Sequence, residues 1–501
     1  MKPMIKPPLA KFFAVVFSLL IIPAALALIG ILPPGIAAAP SHYTELKFPP
    51  LSEVKIPPYT RFQLENGAIV YLMEDHELPL VGGTALFRTG DRLEPADQVG
   101  LAEIMGDVMR DGGTRRHSAD ELNQLLEQRA ASVETGVSTT AGSAQFGCLT
   151  EDLETVFGLF AEVIREPIFA EDQIELAKTQ RRGAIARRND DPGSIAGREF
   201  QKLIYGKNSP YARTIEYANL DNISRNDLIK FYERYFYANN MILGIVGDFD
   251  SQAMRRLIQA KFGDWQATSM AMQPILPEVS QAQKGGIFFV NQPQLTQSRI
   301  QMGHLGGKLN NPDTAALDVL EGVLNAQAGR LQNQVRSRQG LAYSVYAYWS
   351  AQYDFPGLFI AGGETRSDAT VTMIRALKAE IERIRTTPIT PQELTYAKDI
   401  VLNSFVFNFQ SPSQTLGRLM RYEYYGYPKD FIFRYRKALE AVTVADVQRV
   451  AQTYLKPDEI VTLVVGNADA IKPALSSLSK SSPVTQIDVT IPAPTKPGNP
   501  T

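Results

Sequence analysis

Two stretches of this chain repeat one another at a nearly fixed offset. Ser224 and Asp227 begin a helical pattern that leads to the apolar run MILGIVG, closed at Gly247. Thr443 and Asp446 begin a second that leads to IVTLVVG, closed at Gly466. From cap to glycine the distance is 23 positions in both (247 − 224; 466 − 443). In each, a Ser or Thr followed three residues later by an acid marks a helix N-terminus. Further upstream, Ala177-Lys178 and Ala397-Lys398 occupy matching helices, and the offset is 219 (443 − 224) to 220 (397 − 177). A chain that repeats in this way folds as one α+β unit used twice. The fold class expected is α+β, a tandem duplication in which each domain is an antiparallel or mixed sheet flanked by helices.

The remaining segments divide around that repeat. Lys2, Lys6 and Lys11 precede an apolar run from Phe12 to Leu32, and Ala37, Ala38 and Ala39 follow it. A positive start, an apolar middle and a small-residue exit predict an export signal or an N-terminal membrane anchor over 1–39. Residues 40–59 are a Pro-rich leader. The first domain runs over 60–267, opening with a hairpin at Asn66-Gly67 and a strand from Val81. A polar linker, 268–285, joins it to the second domain, 286–475. In that domain Asn311 is expected to cap a helix with Pro312 in its first turn, and Thr390 with Glu393 forms a capping box. The Ser/Pro/Thr-rich tail, 476–501, is expected to be disordered.

Charge and ligand counts narrow the function. Lys and Arg number 51 against 53 Asp and Glu, a net charge of −2, so no basic field draws in nucleic acid. Cys148 is alone, which excludes an intrachain disulfide and a cysteine zinc site. The four histidines, His42, His76, His117 and His304, show no metal-chelating spacing.

Taken together, five features resemble the pitrilysin/insulinase-type zinc peptidases with an inverted H-x-x-E-H motif. These are the Gly100-Leu101-Ala102 opening of a helix, its closure at Gly113-Thr114, the duplication, RNDDP at Arg188 to Pro192, and RSRQGLAYSVY from Arg336. The branch resembled is the two-domain, processing-peptidase-like one, whose domains form a clamshell. In that family the zinc motif follows the Gly-Leu-Ala opening. The register places Glu103 at the first His, Gly106 at the Glu and Asp107 at the second His. The third ligand, a Glu on a later helix, falls in KTQRRG (Lys178 to Gly183), which has no acid. Two carboxylates do not rebuild a zinc site, so no catalytic and no metal-binding residue is expected in this chain. Glu103 and Asp107 read as ordinary surface charges, and Arg181, Arg182, Arg187 and Arg188 as a solvated stripe, with the lining of a cavity or a contact to an acidic partner as the alternative.

The resemblance also implies a substrate-binding pair, Arg336 and Tyr343, seven residues apart in R-x-x-x-G-L-A-Y. A guanidinium holds a carbonyl or carboxylate and a phenol donates to a developing oxyanion. The strand through Gly82 and Gly83 corresponds to the family's peptide-pairing edge; an interior strand is the alternative. The resemblance therefore implies an exported, periplasmic or lumenal, non-catalytic subunit of a heterodimeric zinc endopeptidase. Its homologous partner would carry the zinc, and the substrates would be peptides or unfolded segments. A structural subunit of a larger complex and a homodimeric peptide-binding protein remain as alternatives.

Overall fold

In the computed structural model, which describes residues 55–268, 276–327, 329–479 and 483–494, the duplication holds strand for strand. The expected signal or anchor lies outside the described residues. No helix among the described residues is long and apolar enough to cross a membrane.

The first half contains β1 (Thr60–Gln63), β2 (Ile69–Glu74), β3 (Leu80–Phe87), β4 (Ser132–Val137), β5 (Gly142–Leu149) and β6 (Met241–Gly247). Its helices are α1 (Leu101–Asp111), α2 (Ala119–Glu127), α3 (Leu153–Arg165), α4 (Glu171–Arg187), α5 (Pro192–Tyr205), α6 (Tyr217–Asp221), α7 (Arg225–Tyr235) and α8 (Ser251–Phe262). The second half contains β7 (Ile287–Asn291), β8 (Gln297–Leu305), β9 (Ala342–Ser350), β10 (Leu358–Arg366), β11 (Val461–Gly466) and β12 (Val484–Gln486). Its helices are α9 (Thr314–Asn325), α10 (Thr370–Thr386), α11 (Pro391–Phe405), α12 (Pro412–Tyr425), α13 (Phe431–Ala441) and α14 (Val444–Tyr454).

The sheet orders are β1-β2-β6-β3-β5-β4 and β12-β7-β11-β8-β10-β9. Shifting five strands of the first sheet by five gives the second. The parallel pair β2/β6 recurs as β7/β11, and the other shared pairs are antiparallel in both. Both capping boxes that marked the repeat form, Ser224 with Asp227 and Thr443 with Asp446.

Every residue of β6 and of β11 is buried. A strand apolar on both faces needs a cover on both. Leu243 and Ile245 face the helices of their own half. Ile242 and Val246 face the other way, against Leu416, Leu419 and Met420 of α12. The reciprocal holds in the second sheet, where Leu463 and Val465 pack on Ile195, Ala196, Phe200 and Ile204 of α5. The two halves thus exchange one helix each. Both exchanged helices start alike, with proline in the first turn and a side-chain cap, Asp191 to the Ser194 N–H and Ser411 to the Gln414 N–H. Gly244 is the landing point of α12: a Cβ there would meet Met420 Sδ at 2.2 Å.

Polar contacts lock the exchange. Arg61 donates twice to Glu423, at 2.8 and 3.1 Å, and Tyr71 donates to the same carboxylate at 2.7 Å. Tyr205 donates to the Pro356 carbonyl at 3.0 Å, and Tyr211 stacks on Phe355 at 4.2 Å.

Two expectations are corrected. The tail is not wholly disordered: β12 pairs in parallel with β7, and Ile487 and Val489 pack against the α5 core. Ile487, Val489 and Ile491 alternate with polar residues, so the segment has an apolar face despite its Ser/Pro/Thr composition. It fills the edge that β1 fills in the first sheet. Asn311 does not cap α9; it closes a preceding turn onto the Asp313 N–H at 2.9 Å, and the helix begins at Thr314 with Asp313 as its cap residue.

Phe200 is fully buried at the α5 exchange. Phe200→Ala is expected to lower unfolding free energy by about 3–5 kcal/mol in a denaturant titration. A loss under about 1 kcal/mol would contradict this packing.

Candidate functional site

Helix α1 starts after Gly100, whose φ of 100° lies in the left-handed region that glycine tolerates. Its first turn is capped from outside: the Glu94 carboxylate accepts from the Gly100 and Ala102 N–H groups, both at 3.0 Å. An anion there satisfies orphan amides and meets the positive end of the helix dipole. Glu94 is buried, and burial pushes its carboxyl up to about 7, against the pull of those two N–H bonds. Asp91 is pushed up to about 6, by burial first and then by repulsion from Glu103. Glu103 itself is raised by burial, opposed by Arg181.

The positions of the lost zinc motif are filled. Arg181 of α4 reaches α1, with Nη2 2.6 Å from Asp107 Oδ2 and 3.7 Å from Glu103 Oε2. A guanidinium joins the two acids of this helix face. Glu103 and Asp107 stay partly exposed while paired with Arg181, so this part of the arginine stripe takes the acidic-partner alternative. Arg182 pairs with Asp221 at 3.0 Å and Arg188 with Glu216 at 2.9 Å.

Gly106, at the position of the catalytic Glu, is closed off by backbone. A Cβ there would lie 2.6 Å from the Val137 nitrogen and 2.8 Å from the Gly136 carbonyl carbon, and Thr135 donates to the Gly106 carbonyl at 2.6 Å. Zinc does not fit these residues: the set offers no imidazole, a cation already neutralises the carboxylates, and a base has no room. Among the described residues no group of three His, Cys, Asp or Glu could hold a metal ion.

Strand β3, with Gly82 and Gly83, lies between β6 and β5 and is not an edge. Its glycine has a packing reason, because a Cβ on Gly83 would meet the Phe146 ring at 2.3 Å. The edges on this side are β4 in the first sheet and β9 in the second, and they differ. On β9, Asn325 binds both the Ala347 N–H (2.7 Å) and its carbonyl (2.5 Å), Glu321 takes the Trp349 N–H (3.0 Å) and Gln332 donates to the Val345 carbonyl (3.0 Å). On β4, among the described residues, one side chain reaches the edge: Arg110 donates to the Val133 carbonyl at 3.1 Å. Among the described residues the β4 row thus takes one side-chain hydrogen bond and the β9 row four.

Arg336 and Tyr343 come together. Arg336 lies on a π-helix, Gln332–Arg338, a rare wide helix often found at functional sites. Tyr343 is the second residue of β9, and the guanidinium carbon is 5.3 Å from its ring centre. Tyr343 is 88% exposed, the highest among the exposed large apolar side chains. A groove of about 230 Å³ beside it is lined by Arg299, Glu364 and Arg366. His304 is structural, buried with Nδ1 on the Leu305 carbonyl and Nε2 accepting from the Lys456 N–H.

The fold and this emptied helix position agree with the similarities found for the chain. Residues 81–209 match the family profile "Insulinase (Peptidase family M16)", and residues 222–401 match "Peptidase M16 inactive domain". The chain belongs to this family, the insulinase-type peptidases, as a two-domain member that lacks the zinc motif. It is 23% identical over 403 residues to a Helicobacter pylori protein named "Non-peptidase homolog YmxG", covering 79% of this chain and 90% of that one. A structure described as the peptidase M16 inactive domain from Pseudomonas fluorescens superposes with a TM-score of 0.72 at 23% identity, over 83% of this chain and 100% of that one. The periplasmic protease PqqL from Escherichia coli superposes with a TM-score of 0.69 at 16% identity, over 85% of this chain and 49% of that one.

Sequence reasoning named Arg336 and Tyr343 as a pair, and the two lie side by side, but it did not single out Glu94 or the contact of Arg181 with Asp107. The signal for Arg181 was present: two acids four residues apart on one helix face need a cation.

Two outcomes follow. Glu103→His/Gly106→Glu/Asp107→His, which restores the motif, is expected to lower the melting temperature without yielding stoichiometric zinc by metal analysis; a stable zinc-loaded protein would refute the Gly106 packing. For Glu94, the folded carboxyl titrates near 7 and the ordinary value is 4.5. The folded state therefore holds more protons between those values, and this contribution is lost as pH rises through 7. In denaturant titrations from pH 5 to 8, Glu94→Gln is expected to flatten the decline by on the order of 2 kcal/mol. An unchanged slope would show that Glu94 titrates normally.

Proposed function

We propose that this chain is the non-catalytic, substrate-binding subunit of an exported, heterodimeric zinc endopeptidase acting on peptides or unfolded segments. The observation that carries the reading is the Arg336/Tyr343 pair. A cation and a phenol stand together in solvent, held by a contact worth only roughly 0.5–1 kcal/mol at an exposed site. They are free to bind a backbone carbonyl and an oxyanion presented by another surface. The β4 edge, whose row takes one side-chain bond among the described residues, supports the same reading, since main-chain pairing there would hold an extended chain.

The zinc chemistry belongs to a homologous partner with an intact H-x-x-E-H, where metal-bound water attacks the peptide. The relative named a non-peptidase homolog supports the absence of cleavage by this chain alone. PqqL supports the pairing, because this chain spans 49% of it, so that two chains of this kind approach its length. PqqL is described as periplasmic, which fits the export expected from residues 1–39.

The test is co-expression with a homologue that carries the zinc motif, followed by kinetics on an unfolded polypeptide. Each chain alone is expected to show no turnover, and the pair to show chelator-sensitive cleavage. Arg336→Ala/Tyr343→Phe should lower kcat/KM by roughly 10²-fold. An unchanged kcat/KM rejects the role given to this pair.

A further inference from the structure

Side chains alternate across the strands of the first sheet. Ala85, Ala144 and Phe146 face the core shared with α1, so Thr84, Ser143 and Gln145 face the other way. That second face carries a cavity of about 380 Å³, within the ~300–1,000 Å³ usual for ligand pockets. Its floor is the sheet, with Thr84 opposite Gln145 and Leu86 opposite Ser143. Its other wall is α12, with Gly417, Met420 and Arg421.

The polar groups of this cavity are accessible and unspent. Gln145 and Arg421 are exposed, and Thr84 and Ser143 are half-buried with hydroxyls that are not shut off from solvent. Among the described residues, no side-chain hydrogen bond or ion pair engages any of the four. The charge of Arg421 acts on the phenol of its chain neighbour Tyr422, which is a neutral group. Comparable arginines are tied down. Arg418, one turn earlier on α12, donates to Asn408, and Arg299 on the second sheet pairs with Glu364 at 2.8 Å. Arg421 is the one charged residue among the described walls, and Glu134 of β4 lies outside them.

Two glycines leave room. Gly417 lies inside α12, where glycine weakens a helix relative to alanine. A Cβ there would meet nothing within 4 Å, and the same holds for Gly136 of β4, opposite Ser143. Gly83 and Gly244 differ, since a ring and a sulfur occupy the place of their Cβ. Packing does not require glycine at 417 or 136.

The gap at Gly136 leads from the β4 edge toward the cavity. A strand paired to β4 turns alternate side chains to this face, and two strand spacings put its backbone roughly 10 Å from that of Ser143. A long side chain crosses much of that distance over Gly136. We propose that the cavity is a side-chain pocket for polypeptide held along β4, and that it selects glutamate. The carboxylate is met by the Arg421 guanidinium, with Gln145 and the two hydroxyls as further donors. The methylenes lie against Leu86 and Met420. This rests on the substrate-binding reading given under Proposed function and adds a preference for acidic residues to it.

The test uses short extended peptides, acetylated and amidated so that only a side chain can supply a carboxylate. They are identical but for a central Glu, Gln or Lys, and each is titrated against the full chain by fluorescence anisotropy. The Glu peptide is expected to bind about tenfold tighter than the Gln peptide, and the Lys peptide more weakly than either. Arg421→Gln should erase the difference between Glu and Gln. Gly417→Leu, which fills the cavity, should lower the Glu peptide to the affinity of the Gln peptide. Neither variant removes a hydrogen bond or ion pair from the free chain, so both should keep its Tm. Equal binding of Glu and Gln peptides, or a preference that survives both variants, would overturn the pocket and leave the substrate-binding reading standing. No binding by any of the peptides would overturn both.

Discussion

Each sheet has two apolar faces on its central strands, and helices of the same half cover only one. The other face of β6 is covered by α12 and that of β11 by α5, each borrowed from the opposite half. Burying an Ile or Phe contributes about 1.5–3 kcal/mol, and the α5 exchange alone buries Ile195, Phe200 and Ile204. Neither half therefore has a complete core alone. This makes the relative placement of the halves a property of the hydrophobic core, not of a flexible linker. The Arg61–Glu423–Tyr71 cluster and the Arg92–Asp354 pair add direction to that contact. Buried ion pairs contribute little net stability, because desolvation offsets attraction; their effect here is to fix which surfaces meet.

With that frame fixed, α1 cannot drift, and its chemistry is decided by three neighbours. Glu94 holds its N-terminus, β4 presses against Gly106, and Arg181 joins Glu103 to Asp107. The guanidinium takes over the charge balance that a metal would supply. It brings no open coordination position and cannot lower the pKa of a bound water.

Much of the fold was legible in the sequence because its signals are local. The capping pairs at Ser224, Thr390 and Thr443 each satisfy backbone groups within one turn, and all three form. The repeat of apolar runs at Gly247 and Gly466 fixed the duplication. The exchange of helices was not legible: Ile195, Phe200 and Ile204 show that α5 has an apolar face, but not whose sheet lies beneath it. Strand order is equally non-local, so VGGTALF reads the same as an edge or as the interior strand it is. The tail was misjudged for a related reason, since its composition is polar while the alternation at Ile487, Val489 and Ile491 supplies one apolar face. At the site, one short motif carries both Arg336 and Tyr343, so their proximity was legible. The contact of Arg181 with Asp107 was not, because the two lie 74 positions apart in the chain.

The duplication also lets each half serve as a control for the other. Both sheets end, on the side of α1 and α9, in a strand with an outward row of N–H and C=O groups, which invites unwanted pairing. In the second half three side chains close that row, with Asn325 binding both groups of Ala347 as a neighbouring strand would. In the first half, among the described residues, one side chain binds that row, Arg110 on Val133, and the Val137 nitrogen packs against Gly106 of α1. The two halves therefore share strand order and capping but differ in how side chains engage the backbone row of this edge.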